Sequence, residues 1–315
     1  MKNLLSLALI FIVTIIFTTS FSQTLKREVC ITVDDLPVVT KHFKDIDTYN
    51  YITDNILSAL KKYGIKSIGA VNAGKLYNGR TFYPERYNLL KKWLDAGHDL
   101  SNHTFAHKNY NTISFAEFVL DITDGEPILN DLLKPYGKKL KYFRHPFLFR
   151  GDTKEKADSL QNYLDERGYV VTPVTIDNSD YIFASAYEKA VFEKNDSLKK
   201  LIGDEYISYM GKVLDYYEDQ SVKLFGYNIS HILLSHASLL NADNFDRLFA
   251  MYQEKGYKFI AFDDAVKDDC YKSKDEFYRK AGITWLHRWA LTQGKRGDFF
   301  KGEPEVPEFI ENLSK

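Results

Sequence analysis

Several features that define particular protein classes are scarce or missing in this chain of 315 residues. Two cysteines, Cys30 and Cys270, are too few for a disulfide-rich secreted scaffold. The formal net charge is -1. The composition therefore predicts neither a nucleic-acid partner nor attachment to an anionic membrane surface. Residues 24–268 contain no linker rich in Gly, Ser or Pro, no internal repeat and no low-complexity stretch, which argues against a chain of separate modules.

The two cysteines could form at most one disulfide bond. An oxidising compartment would permit a bridge, but Cys30 lies in a buried-strand pattern. We expect two unpaired thiols, with Cys30 in the core. No lipobox-like sequence precedes Cys30, so we do not expect a lipid anchor.

The only long apolar run stands at the N-terminus, where Lys2 precedes Leu4–Phe17. Ser20 and Ser22 are small residues placed for a cleavage after Ser22, so residues 1–22 have the layout of a secretory signal peptide. The run is short for a membrane span of about 20 residues, although an uncleaved anchor is the alternative. We therefore expect an exported protein, periplasmic or secreted, with no membrane span after cleavage.

What remains is ordinary globular composition with 44% hydrophobic and 27% charged residues, enough for a sizeable core. Strand-like apolar runs occur at Glu28–Val33, Ser67–Val71, His98–Ser101, Leu140–Phe143, Tyr169–Val174, His231–Leu234 and Lys258–Ala261. Helical patterns separate them near Thr48–Tyr63, Pro84–Ala96, Ser114–Leu133, Thr153–Arg167, Tyr187–Asp219 and Asp243–Lys255. This alternation predicts an α/β fold with a parallel sheet, open or closed into a barrel.

Two regions break the alternation. Residues 180–223 are mostly helical and too long for one crossover, so we interpret them as a helical insertion. After Asp268 the pattern changes again. We predict a catalytic domain at residues 24–268 and a C-terminal extension at residues 269–315 that packs on the outside of the sheet.

Polar residues follow the predicted strands at the points where those strands end. The carboxyl ends of parallel strands share one edge of a sheet and form its sites. The residues concerned are Asp34, Asp35, Ser101, Asn102, His103, His107, Arg144, Asp177, Asp180 and His236. They are therefore expected at one rim.

His103 and His107 are four residues apart, a spacing at which two imidazoles can face one metal ion. With one carboxylate, Asp35, they form the two-His, one-Asp set of a catalytic zinc site. Cobalt or nickel can also suit such ligands. On their own, two histidines at this spacing could equally be polar loop residues. The adjacent acidic pair, Asp34 and Asp35, favours a metal site.

Asp34 and Asp35 are neighbouring carboxylates, which repel each other unless a cation or a proton relieves them. A metal on Asp35 would allow Asp34 to stay ionised and act as a base. The alternative interpretation is that the two residues are a solvated pair in a surface loop. Asp263 and Asp264 form a second acidic pair without matching histidines, which we interpret as helix N-capping residues.

Two further strand-end residues have both a catalytic and a structural interpretation. Arg144 could pair with Asp34 and orient it, or form an ion pair without consequence. His236 could protonate a leaving amine, or be structural. His98 and His231 lie inside strands and are expected to be buried and hydrogen-bonded.

Five motifs occur in order along the chain: T-V-D-D-L-P, N-H-T-F-A-H, F-R-H-P-F, D-N-S-D-Y and L-L-S-H. The series resembles the NodB-type polysaccharide deacetylases, carbohydrate esterase family 4, over about residues 28–265. The resemblance implies a distorted (β/α) barrel of about seven strands, one divalent metal ion and hydrolysis of N-acetyl groups on a carbohydrate substrate. It implies these roles: Asp34 as base; Asp35, His103 and His107 as metal ligands; Arg144 orienting Asp34; the Phe147 N–H stabilising an oxyanion; Leu234 lining the acetyl pocket; and His236 as acid, tuned by Asp180.

Three positions depart from that family's pattern. Leu36 stands where Gly is usual and is expected to add a side chain at the metal rim. Phe147 replaces Tyr, and Tyr181 replaces Trp in one wall of the cleft. Two alternatives therefore stay open, a hydrolase of a different, small-molecule amide and a non-catalytic carbohydrate-binding homologue. The sugar, the N- or O-acetyl preference and the oligomeric state are not specified by the sequence.

Overall fold

The structure is a computed structural model that describes residues 26–315. The predicted signal peptide, residues 1–22, lies outside the described residues. The strands are β1 Glu28–Leu36, β2 Ile68–Val71, β3 Tyr77–Asn78, β4 Thr81–Phe82, β5 Asp99–Asn102, β6 Tyr142–Phe143, β7 Val170–Val171, β8 Ser230–His236 and β9 Lys258–Phe259. The α-helices are α1 Ile46–Lys62, α2 Pro84–Asp95, α3 Phe115–Leu133, α4 Lys154–Glu166, α5 Asp180–Phe192, α6 Asp196–Phe225, α7 Leu239–Glu254, α8 Phe262–Ala265, α9 Trp285–Thr292 and α10 Glu308–Ser314.

Seven parallel strands form one curled sheet in the order β7-β6-β5-β2-β1-β8, with β9 paired to the start of β1. β1 is paired with β8 along most of its length, from Glu28 opposite Ser230 to Asp34 opposite His236. The chain beyond β7 returns to the far side of β8, where Ile176 pairs with Leu233. This pairing joins the two ends of the sheet and confirms the predicted distorted barrel.

The strands β1, β2, β6 and β8 are almost entirely buried because helices cover the outer face of the sheet. In β1 every residue from Val29 to Asp34 is buried, as expected for a strand between a barrel interior and a helical layer. α1 shows how the covering helices are built. Asp45 caps its first turn by accepting from the Thr48 N–H, and its apolar face buries Ile52, Ile56 and Leu60.

The helical insertion consists of two helices, α5 and α6, where the sequence pattern predicted one starting at Tyr187. The break falls at Lys194, whose φ is 56°. Asn195 then caps α6 by accepting from the Leu198 N–H. The insertion is therefore helical as expected, but its first helix begins at Asp180, beside the barrel rim.

The C-terminal residues return to the barrel. α10 packs against α5, and α9 packs against α6. Cys30 and Cys270 are both buried and unpaired, as expected. Among residues 26–315, no helix combines the length and apolar character that a membrane span requires.

Candidate metal centre and active site

The strand-end residues meet at the carboxyl edge of the barrel. Asp34 and Asp35 lie near the end of β1, His103 directly follows β5, Arg144 follows β6, and His236 ends β8. They surround a cavity of about 570 Å³, which Asp34, Asp35, His103, His107 and His236 line. The common direction of the strands explains this convergence.

Asp35, His103 and His107 form a compact set of three ligand groups whose atoms all lie within 4.8 Å of one another. The Nε2 atoms of both imidazoles are 3.7 Å from Asp35 Oδ1. That oxygen is buried and has no hydrogen-bond partner among the described residues. A buried carboxylate oxygen facing two imidazole nitrogens fits a divalent cation, and two His with one Asp is a zinc-type set.

The protonation states of these groups also suit a cation. His103 Nδ1 lies 2.8 Å from the Arg144 carbonyl oxygen, which accepts the Nδ1 hydrogen and leaves the Nε2 lone pair free. Burial lowers the pKa of His103 well below its usual value and also lowers that of His107. Burial opposes ionisation of Asp35, but the Lys75 ammonium and the surrounding histidines together outweigh it, so the pKa of Asp35 is lowered. Neutral imidazoles and an ionised carboxylate are what metal binding requires.

The ligands sit on an unusual backbone. Asp35, Thr104 and His107 have φ values of 68°, 64° and 53°, a region that residues other than glycine seldom adopt. Asp121, buried on α3, holds the turn around His107, because its carboxylate accepts from the Ala106 N–H at 2.7 Å and the Lys108 N–H at 3.0 Å. Such strain persists only where surrounding contacts fix it.

Sequence reasoning missed two residues that support these ligands. Asp121 could have been noticed as a carboxylate on the apolar side of α3, next to Ile122 and one turn from Phe118. Lys75 donates to the Asp35 carbonyl oxygen at 2.7 Å, and its Nζ lies 3.7 Å from Asp35 Oδ2. No sequence signal marks Lys75.

Asp34 lies beside the ligand set, with its Oδ2 4.0 Å from His103 Nε2. Arg144 approaches it as an ion pair, with Nε 3.5 Å from Asp34 Oδ2, and donates a hydrogen bond from Nη2 to Thr32 Oγ1. Burial raises the pKa of Asp34 to about 6, against the opposing charge of Arg144. A carboxylate with a pKa near neutrality is suited to taking up a proton.

His236 is held by Asp180, the first residue of α5. Asp180 Oδ1 lies 2.6 Å from His236 Nδ1, and Oδ2 accepts from the His236 N–H at 2.9 Å. Burial opposes the charged imidazole, but Asp180 outweighs it and raises the pKa of His236 to about 10. Asn241, which sequence reasoning missed, donates to Asp180 Oδ2 at 2.8 Å. His236 is therefore a protonated donor at neutral pH.

The cavity walls come from several loops and from the insertion. Phe147 and Tyr181 line it with exposed fractions of 50% and 59%, and Leu234 lines its buried part. Glu188 of α5 also lines it and accepts from the Lys41 and His42 N–H groups, which ties α5 to the loop after β1.

Two sequence expectations about this edge are wrong. Leu36 does not reach the rim but is fully buried. Its side chain occupies the space beside Gly69, where a Cβ would lie 2.2 Å from Leu36 Cδ1. Asp263 and Asp264 do not cap α8, whose N-cap is Ala261, and instead occupy its first turn. His98 and His231 are buried and hydrogen-bonded as expected, to Ser67 N–H and Asn228 Oδ1.

Comparison with known proteins agrees with this architecture. The family model described as polysaccharide deacetylase matches residues 22–164. A peptidoglycan-N-acetylglucosamine deacetylase from Bacillus cereus is 27% identical over 164 residues, which cover 51% of this chain and 49% of the relative. A chitin deacetylase from Arthroderma benhamiae is 27% identical over 175 residues, covering 55% of this chain and 40% of the relative. The chain thus spans half or less of these curated relatives.

Among solved structures, the chitin deacetylase of Colletotrichum lindemuthianum superposes with a TM-score of 0.51 at 20% identity, covering 77% of this chain and 88% of that structure. At this identity the likeness concerns the fold. The family model and the curated relatives add evidence from sequence: residues 22–164, less than half of the chain, are similar to the polysaccharide deacetylase family.

Proposed function

We propose that this protein is a metal-dependent hydrolase that removes N-acetyl groups from an N-acetylated sugar or polysaccharide. The observation that carries the proposal is the compact set of Asp35, His103 and His107 with a buried, unpartnered carboxylate oxygen, next to Asp34 and in the same cavity as His236. One cavity thus combines ligands for a cation, a base and an acid.

Asp35, His103 and His107 would hold one divalent ion, by ligand type most simply zinc. When bound, the ion supplies Lewis acidity toward a carbonyl oxygen and a positive charge beside two neighbouring carboxylates. The Arg144 guanidinium adds a second positive charge beside Asp34, and the Arg144 carbonyl orients His103.

Asp34 is the proposed base. It is buried, it is not one of the three grouped ligands, and Oδ1 has no hydrogen-bond partner among the described residues. In the proposed reaction it takes a proton from the attacking water. Arg144, which is itself held by a hydrogen bond to Thr32, keeps the carboxylate in place while it does so.

His236 is the proposed acid. Its hydrogen bond to Asp180 holds the imidazole protonated and fixes the ring. An amide expels its amine only after the nitrogen has gained a proton, which His236 would deliver. The Phe147 N–H would donate to the oxyanion that develops on the carbonyl oxygen, and Leu234 would contact the acetyl methyl group.

Acetate release tests the proposal. The metal-loaded protein would be incubated with N-acetylglucosamine oligomers, peptidoglycan and small acetamides, with and without a chelator. We expect acetate from at least one carbohydrate, loss of activity with the chelator and recovery on adding Zn²⁺, Co²⁺ or Ni²⁺. Asp34→Asn should retain the metal and lose turnover, whereas His103→Ala or Asp35→Ala should lose both.

Asp264→Asn is the matched control, since Asp264 belongs to the other acidic pair and lies away from the cavity lining. It should leave turnover unchanged. Release from small acetamides alone would favour the small-molecule hydrolase, and carbohydrate binding without turnover would favour the non-catalytic homologue. A fully active Asp34→Asn variant would refute the role of that residue.

Export to the periplasm or beyond is proposed from the N-terminal sequence alone. Sequencing the N-terminus of the mature protein tests it, and cleavage after Ser22 is the expected result.

A further inference from the structure

The loop from Arg144 to Arg150 carries the proposed oxyanion donor on a strained backbone. Phe147 and Leu148 are consecutive residues with φ values of 57° and 56°. The N–H groups of Leu148 and Phe149 bond back to the carbonyl oxygens of His145 and Pro146, at 3.1 and 3.0 Å. Two adjacent left-handed residues without glycine persist only where neighbouring structure holds them.

That neighbouring structure is residues 275–285 of the C-terminal extension, which we name the tail strap. Gly282 of the strap lines the cavity and lies against the loop backbone. A Cβ at Gly282 would lie 1.9 Å from the Phe147 carbonyl oxygen and 3.0 Å from the Phe149 ring. Because the first of these atoms belongs to the backbone, only a glycine permits this approach unless the loop moves.

The strap is anchored on both sides of Gly282. Toward its start, the nearly buried Asp275 carboxylate pairs with Arg150 at the end of the loop and with Arg288. Toward its end, the Trp285 N–H donates to the Val174 carbonyl oxygen at 2.7 Å. Between them, the Lys280 carbonyl oxygen accepts from Asn111 Nδ2 at 3.1 Å. These anchors lie on three segments around the cavity, so the strap is not free to retreat.

We propose that the tail strap fixes the Phe147 backbone and that Gly282 is a positioning residue for the reaction. The inference rests on the proposed function, because it takes the Phe147 N–H as the oxyanion donor. It gives the C-terminal extension, which lies beyond the family match at residues 22–164, a part in completing the site.

An alanine at position 282 would need the Phe147 carbonyl to move by about 1 Å, since real Cβ contacts essentially never fall below 3.0 Å. The peptide that carries this carbonyl is in the same turn as the Phe147 N–H, so the donor would leave its position. A misplacement of this size commonly lowers a catalytic rate by about 10- to 100-fold.

The test compares full-length Gly282→Ala with Gly211→Ala. Gly211 lies in α6, where an added Cβ meets only the flexible end of Lys255 at 3.9 Å. For Gly282→Ala we expect kcat on the best acetylated substrate to fall about 10- to 100-fold. The KM, the zinc affinity and the unfolding temperature should stay close to wild type. Amide hydrogen exchange should accelerate in the peptide covering residues 144–150. Gly211→Ala should leave kcat, KM, zinc affinity and this exchange unchanged and should raise the unfolding temperature slightly, because alanine favours a helix interior.

Arg150→Gln is a second variant that adds no atom at the contact and should accelerate exchange in the same peptide. Unchanged exchange and unchanged kcat in Gly282→Ala would overturn the inference. A loss of kcat that only follows a lowered unfolding temperature would overturn it as well. The exchange measurement does not require turnover. If the wild type releases no acetate while Gly282→Ala still shows faster exchange, the proposed function is refuted and the inference about the strap's contact stands.

Discussion

Replacing Asp121 by asparagine tests whether a carboxylate outside the ligand set controls metal binding. Asp121 accepts one backbone N–H on each side of His107, from Ala106 at 2.7 Å and from Lys108 at 3.0 Å. Both N–H groups need an acceptor, and asparagine offers only one oxygen. The substitution therefore turns one of the two bonds into a contact between two donors, while side-chain volume stays nearly constant.

The expected size follows from the lost bond. A hydrogen bond to a charged group contributes about 1.5–3 kcal/mol. If that energy is what orders the turn carrying His107, the affinity for a divalent ion should weaken by about 10- to 100-fold. Calorimetric titration of the metal-free protein with Zn²⁺ measures this directly.

Asp124→Asn is the matched control, because Asp124 is exposed on the same helix and undergoes the same chemical change. It should bind zinc as the wild type does. An Asp121→Asn protein that is folded and binds zinc with unchanged affinity would refute the reasoning.

Three further perturbations separate catalysis from stability. Asp180→Asn removes the partner of His236, and we expect kcat for acetate release to fall about 100-fold with little change in KM, because general acid catalysis contributes that much or more. Leu36 is a core residue, so Leu36→Ala should destabilise the fold by about 2–5 kcal/mol in urea unfolding. The kcat/KM of the folded protein should stay unchanged, and an altered substrate preference would contradict the core position of Leu36. Burial lowers the pKa of His231 to about 3, whereas a histidine in the unfolded chain has a pKa of about 6.5. Between these two pH values the unfolded chain binds the proton preferentially, so stability that is present above about pH 6.5 is lost as the pH falls toward 3. His231 should account for about 2 kcal/mol of the stability lost between pH 7 and pH 5, and urea titrations of His231→Gln should show that much less loss; equal losses would refute the assignment.

Much of the barrel is predictable from sequence because its central strands β1 and β8 are buried on both faces. β1 and β8 stand out as short apolar runs between polar segments, and both were predicted within three residues of their observed ends. The strand prediction for Tyr169–Val174 is less accurate, since only Val170 and Val171 form β7. Beyond them the chain crosses to β8 at Ile176, a change of partner that local periodicity does not encode.

The site was predictable to the extent that it depends on strand ends. Asp35, His103 and His107 come together because parallel strands end at one edge, and that rule needs only the sequence. Asp121, Lys75 and Asn241 come from a helix face, a short 3-10 helix and a helix start. Their proximity depends on packing between elements, which no local pattern specifies. Leu36 was misplaced for the same reason, because the space that holds it is created by Gly69 on the neighbouring strand.

The distribution of the site along the chain bears on how far the relatives inform it. The family match ends at residue 164 and contains Asp34, the three grouped ligands, Arg144 and Phe147. The proposed acid His236, its partner Asp180 and the cavity residues Tyr181 and Gly282 all lie beyond that match. The residues proposed to hold a cation and to act as base are thus separated in sequence from the proposed acid and from part of the cavity wall. The family match therefore covers the proposed metal ligands and base, whereas the cavity walls that would contact a substrate are built in part by the insertion and the C-terminal extension.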